Sequence, residues 1–329
     1  DGIRDQPRSR GLGDVYKRQP DEGAYTNSSN VTIIWNANDN IDIDNYEIKL
    51  DSGAWIDVGK NTSYTFVGLA DGKHNVTVKA YDIARNWNIS IVSFYVDTTC
   101  PNVGIIDPTN DTYFSVPNVT ISWQGYDNIA IDHCEVRIDG SSWKDVGLQY
   151  SYTFENLSDG RHTAEVKVVD KAGNQDIDAV IFYVDTTSPQ LTIINPTNGS
   201  YIPSINVTVE WSGSDNIGLD HYETRIDGGS WINVGLNTTY EFLSLAEGEH
   251  IVEVKAVDKA GNIDVESVRF YVDVTSPVLQ ITYPSNDTYF DVDNVTIEWS
   301  GSDNFGIDHY EIKIDNGVWI DVGLIQPIT

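Results

Sequence analysis

The chain has no methionine and only two cysteines, Cys100 and Cys134, in 329 residues. Two thiols cannot build a disulfide-dense scaffold or a zinc site made from cysteine pairs. The missing methionine predicts a piece of a longer reading frame. Basic residues are scarce as well: 20 Lys and Arg face 50 Asp and Glu, a formal charge of −30. A surface that acidic repels phosphate backbones, which argues against nucleic acid as a partner. No run approaches about 18 uncharged apolar residues, so no segment reads as a membrane span. Nucleophile elbows, phosphate loops and zinc signatures are also missing. What is present is apolar substance: hydrophobic residues make up 40% of the chain and aromatics 11%, too rich for a disordered polymer.

Residues 1–19, DGIRDQPRSRGLGDVYKRQ, stand apart. They hold five of the basic residues against three acids, lack apolar alternation and have no counterpart later. They resemble translated sequencing-adapter read-through and are expected to be an unstructured, non-native head; a basic arm is the alternative.

The rest of the chain is organised by a period of 88. Trp35, Trp123, Trp211 and Trp299 lie 88 residues apart, as do Pro20, Pro108, Pro196 and Pro284, and Trp55, Trp143, Trp231 and Trp319. The phrases VDTTCP (96–101), VDTTSP (184–189) and VDVTSP (272–277) keep the same step. Such a period means repeated units. The reading divides the chain into repeats at 20–97, which lacks a first strand, 98–185 and 186–273, with an incomplete fourth at 274–329 that should expose its core face.

Within a unit, apolar residues alternate with period two, the mark of half-buried strands. In the third, Val207, Val209 and Trp211 share one face of NVTVEW while Thr208 and Glu210 take the other. LTII, HYETRID, SWINVG, TYEF, HIVEVKAVD and SVRFYVD complete seven short strands, and no helical spacing occurs. The expected class is all-β: tandem seven-stranded immunoglobulin-like sandwiches. Connectors of six residues containing a proline predict stiff joints and an extended rod.

W-x-G-x-D-N, L-x-D-G-x-H, D-K-A-G-N and V-D-T-T-x-P together resemble the tandem immunoglobulin-like, fibronectin type III-like repeats of large bacterial and archaeal cell-surface proteins. The likeness covers 20–329, departing at 82–86, where Ile83 and Arg85 replace Lys and Gly. It implies an extracellular or cell-surface location and a structural or adhesive role.

The sharpest chemistry is carboxylate. In a sandwich of this type the N-terminus and the loops after the second and sixth strands share one end. That gathers Asp97, Asp127 and Asp170, with Asn174, at one junction; Asp185, Asp215 and Asp258, with Asn262, at the next; and Asp273 with Asp303 at the last. Converging carboxylates repel unless a cation neutralises them, and Ca²⁺ takes such hard oxygen ligands. The competing reading is local: Asp-Asn and Asp-x-x-Gly-Asn also make turns by bonding nearby backbone N–H groups.

Other periodic residues have two readings each. Both cysteines fall in the second repeat, which suggests a Cys100–Cys134 disulfide; two free thiols are the alternative. Asn-x-Ser/Thr occurs thirteen times, including Asn30, Asn118, Asn206 and Asn294. In a secreted setting these accept glycans; equally, asparagine turns before threonine-rich strands generate the pattern incidentally. His74, His162 and His250 read as structural hydrogen-bonding groups, and His133, His221 and His309 lack a second histidine at ligand spacing. Trp35 and its equivalents are in phase with the core. Trp55 and its equivalents, near a sheet edge, either cover the sandwich end or stack on a sugar.

Every acidic pair recurs at 88 residues, whereas a catalytic site occurs once, so the expectation is no enzyme activity. The reading is a stalk or adhesive segment that projects a distal element or binds through many weak contacts. Its partners are then neighbouring repeats, glycans or other surface proteins. The alternative is a carbohydrate-binding or spacer module attached to an extracellular hydrolase.

Overall fold

The computed structural model describes residues 15–324. The chain divides into two compact units, Asp1–Thr186 and Thr187–Thr329. The first holds two sandwiches and the second holds one, followed by the strands of residues 274–324. Among the described residues there is no helix, and hence none long and apolar enough to cross a membrane.

The second repeat illustrates the architecture. A three-stranded antiparallel sheet runs in the order Ser151–Phe154, Val119–Tyr126, Asn102–Asp107. Facing it is a five-stranded sheet in the order Thr112–Phe114, Gln175–Val184, Gly160–Asp170, Ile131–Ile138, Lys144–Gly147. Alternation explains the packing: Val119, Ile121 and Trp123 point inward from the small sheet, Val136, Val166, Val168, Val180 and Phe182 from the large one. Each such side chain removed from water contributes about 1.5–3 kcal/mol. The hairpin that joins Ile131–Ile138 to Lys144–Gly147 turns through Asp139 and Gly140, at φ 50° and 70°. Two successive positive φ values make a type I′ turn, which suits Gly and tolerates Asp.

Two features differ from the sequence reading. Each sandwich has eight strands, because the first strand splits: Asn102–Asp107 pairs with the small sheet, and Thr112–Phe114 crosses to run parallel to Gln175–Val184. Three residues are too few to display a period. Secondly, Val15–Gln19 is paired with Val31–Ala37, from Val15 against Ala37 to Gln19 against Ile34. That is the register Val103 and Asp107 keep against Gly125 and Ser122. The first repeat therefore has an opening strand, and part of the supposed head provides it. Ladder bonds are made by backbone groups, so composition alone was a poor guide there. Residues 1–14 lie outside the described residues.

The open edge of the small sheet is sealed by side chains. Val103 and Ile105 donate their N–H groups to Asp176 and Asp178 at 3.1 and 2.7 Å, and Leu191 donates to Asp264 at 3.1 Å. In residues 274–324, Val278–Tyr283 pairs with Glu298–Ser302, and Tyr310–Ile312 with Ile320–Gly323. Leu279 is 60% exposed there, whereas its counterpart Leu191 is 6% exposed.

Candidate functional site

The carboxylates converge where the first repeat meets the second. Asp97 follows the strand Trp87–Val96, Asp127 follows Val119–Tyr126, and Asp170 ends Gly160–Asp170. Their carboxylate oxygens come within 4.8 Å of one another. Turn chemistry fixes two of them. Asp127 Oδ2 accepts the N–H groups of Ile129 and Ala130 at 2.8 and 2.7 Å, and Asp170 Oδ1 those of Ala172 and Asn174 at 2.8 and 2.9 Å. The turn reading is thus correct locally, yet oxygens are left over. Asp127 Oδ1 and Asp97 Oδ2 are buried with no hydrogen-bond donor.

Asp97 is fully buried. Burial, then the charges of Asp127 and Asp170, push its carboxyl above the usual aspartate range. Two unit charges about 4 Å apart repel by about 4 kcal/mol at an effective dielectric of about 20. An arrangement that desolvates one carboxylate beside two others suits a hard cation, with Asp97 Oδ2, Asp127 Oδ1 and Asp170 Oδ2 as the anionic ligands.

Asn174 does not fit the ligand role that the sequence suggested. Its Nδ2 donates to Asp97 O at 2.8 Å and to Asp170 Oδ2 at 2.7 Å, so it positions two acids. Asn262 likewise donates to Asp258 Oδ2 at 2.7 Å and to Thr187 O at 3.4 Å. In the second unit, Asp215 and Asp258 repeat these turns: Asp215 Oδ2 accepts from Ile217 and Gly218, and Asp258 Oδ1 from Ala260 and Asn262. Asp215 Oδ1 is again buried without a donor. Asp185, fully buried, lies near the end of the first unit. Asp273 is only half-buried, and Asp303 keeps a buried, unpartnered Oδ2.

The predicted disulfide is absent, and direction explains why. Cys134 faces into the second core with Trp123 and Val136, fully buried, while Cys100 is exposed on the connector. Burial raises the Cys134 thiol pKa. Falling in one repeat does not make two residues point at each other.

The corner histidines link a turn to a strand. His162 bonds Asp139 through Nδ1 at 2.7 Å and the Ser158 carbonyl through Nε2 at 2.8 Å. His74 and His250 make the same pairs with Asp51 and Ala70, and with Asp227 and Ala246. Burial alone would lower the pKa of His74 and of His250, but an acceptor at each ring nitrogen favours the doubly protonated ring and the net shift is upward. His133, His221 and His309 each bond the adjacent aspartate.

Trp35, Trp123, Trp211 and Trp299 are buried core residues. The second tryptophan set is covered by cations, a signal missed in the sequence. Arg137 and Lys167 lie 4.4 and 4.5 Å over the Trp143 ring, Arg225 and Lys255 4.4 and 4.2 Å over Trp231. Lys49 covers Trp55 and Lys313 covers Trp319. The same cations pair with Glu165 and Glu135, or Glu253 and Glu223. Asn30, Asn118, Asn206 and Asn294 are exposed; Oδ1 of the first three accepts the N–H of Gly68, Asn156 and Ser244.

Residues 101–166 and 189–254 match the bacterial Ig domain family. Halomucin of Haloquadratum walsbyi is 24% identical over 351 residues, an alignment spanning 85% of this chain but 4% of that protein. Among solved structures, a three-immunoglobulin segment of titin aligns with 80% of this chain and 99% of its own at 12% identity and a TM-score of 0.45. A tetra-tandem repeat from the extending region of a large adhesion protein aligns with 92% of this chain and 86% of its own at 22% identity and a TM-score of 0.32. The described residues form a run of tandem immunoglobulin-like β-sandwich repeats. Two of those repeats carry the bacterial Ig signature.

Proposed function

We propose that the chain is a non-catalytic stalk or adhesive segment of a secreted or surface-attached protein, whose joints bind Ca²⁺. The observation that carries this reading is Asp97: a fully buried carboxylate with an unpartnered oxygen, facing Asp127 and Asp170 across two successive repeats. Its ligands come from both sides of a connector, so an ion there ties neighbouring repeats together. Affinity in the extracellular range, about 10⁻⁴–10⁻³ M, is expected for such a module.

The cation-covered Trp143 and Trp231 favour a stalk over a carbohydrate-binding module, since there the ring face a sugar would need is taken. Repeats in series also suit projection: each added copy extends reach, and any glycan acceptors or weak contacts multiply with it. Calorimetry of the whole chain with calcium and with EDTA tests the ion. The melting temperature should rise with calcium, and identical traces would remove calcium from the reading. Small-angle scattering tests the stalk, for which the maximum dimension should approach that of sandwiches placed end to end.

A further inference from the structure

We infer that successive repeats also dock through a second surface that needs no ion, built around the acid that precedes the strand Gly72–Asp82 and its equivalents. This deepens the stalk reading and rests on it. In the first repeat that acid is Asp71. Its Oδ1 accepts the Thr98 N–H at 2.9 Å and the Thr98 hydroxyl at 2.8 Å. Its Oδ2 accepts the Thr99 hydroxyl at 2.6 Å and Asn128 Nδ2 at 3.1 Å. Thr98 and Thr99 form the connector, and Asn128 belongs to a loop of the following repeat. One carboxylate thus grips both the link and the next sandwich.

The contrast with Asp97 is chemical. Both Asp71 oxygens are occupied by protein donors, and these bonds, led by the Thr99 hydroxyl and the Thr98 amide, hold its carboxyl below the usual range. The site is complete as it stands. Eighty-eight residues on, Asp159 accepts the N–H and hydroxyl of Thr186 at 2.9 and 2.8 Å. In the second unit a longer acid does the same work. Glu247 Oε1 accepts the Val274 N–H at 2.9 Å and the Thr275 hydroxyl at 2.7 Å, while Asn304 Nδ2 lies 3.5 Å from Oε2.

An aromatic platform adjoins this latch. Tyr25 stacks on Tyr95, and Tyr201 on Tyr271, at 4.6 and 4.9 Å between ring centroids. Lys171 of the second repeat lies 5.5 Å over the Tyr25 ring, and Phe305 packs at 5.9 and 6.0 Å from Tyr201 and Tyr271. The partner this surface fits is another copy of the repeat. It needs a hydroxyl in the connector, an amide in the loop after Val119–Tyr126 or its equivalent, and a cation or aromatic ring to sit on the tyrosines. That gives a role to the threonines of V-D-T-T-x-P and to the Asn of W-x-G-x-D-N. Losing the ion therefore leaves the joint docked on one flank.

The test uses the whole chain with Cys100→Ser, the residue later repeats carry, and spin labels on Lys60→Cys and Lys144→Cys, one in each of the first two repeats. The buried Cys134 stays unlabelled. Distance distributions are read in calcium and in EDTA for Asp71, Asp71→Ala and Asp71→Glu. The wild-type distribution should stay narrow in EDTA, Asp71→Ala should broaden it at least twofold, and Asp71→Glu should restore it as Glu247 does. An Asp71→Ala distribution as narrow as wild type in EDTA, or no rescue by Asp71→Glu, overturns the docking surface. The wild-type response to calcium judges the ion separately, so failure of one reading is distinguishable from failure of the other.

Discussion

The joint entering the second repeat and the joint entering residues 274–324 use the same phrase but are built to different extents. At the first, Asp97 is fully buried and faced by Asp127 and Asp170. At the second, Asp273 is half-buried, and Asp303 stands without a third acid among the described residues. The latch does not follow that pattern: Glu247 grips Val274 and Thr275 much as Asp71 grips Thr98. The acid cluster thus depends on the turn after the strand Gly160–Asp170 or its equivalent, whereas the latch needs only the connector and the loop after Val119–Tyr126 or its equivalent. The cores differ in step, since strands such as Gly160–Asp170 and Gln175–Val184 have no counterpart within residues 274–324.

The largest expected effect sharpens the core half of that contrast. Trp123→Ala should cost about 3–5 kcal/mol in chemical denaturation, the usual range for emptying a packed aromatic site. Trp299→Ala should cost clearly less, because its surroundings already admit water; equal losses would mean the two regions are packed alike. Next comes the ion. Asp127→Asn should abolish calcium-dependent stabilisation of the second repeat, which amounts to about 2.7 kcal/mol at calcium 100-fold above the dissociation constant. Asp303→Asn should change the calcium response little, as read by calorimetry.

A smaller effect concerns pH. Asp97 has a raised folded-state pKa, so its contribution is full below the unfolded value and is lost as pH rises through the folded one. His74 and His250, also raised, likewise contribute most below their ordinary value of 6.5 and lose that contribution at higher pH. In EDTA, the denaturation midpoint of the first unit should therefore fall as pH rises from the ordinary aspartate value of 3.8 past the ordinary histidine value of 6.5, and calcium should flatten the slope. A midpoint that climbs over this interval would contradict the assignment of Asp97. The smallest effect is at the thiols: Cys100 should alkylate in the native protein, Cys134 only after unfolding, with a melting temperature indifferent to reductant.

The repeat length, the all-strand class and the inward set of Val207, Val209 and Trp211 were legible because burial repeats with a fixed period. The meeting of Asp97, Asp127 and Asp170 was legible because the sandwich topology dictates which loops share an end. Three things were not. Val15–Gln19 joins its sheet through backbone groups, which leave no trace in composition. The direction of Cys134 was missed because identity was weighed without phase: Tyr46 and Tyr222, its counterparts, are themselves buried. The Asp71 latch was hidden because its donors lie 27, 28 and 57 residues away, beyond any local motif.

The carboxylates of Asp176 and Asp178 have an effect beyond the fold of one molecule. Exposed strand edges invite neighbouring chains to zip onto them, and long arrays crowded on a surface offer many such edges. Here the amides of Val103 and Ile105 are already claimed from within, by negatively charged groups that also deter approach. A strand edge guarded in this way is closed to pairing with the edge of a neighbouring sheet.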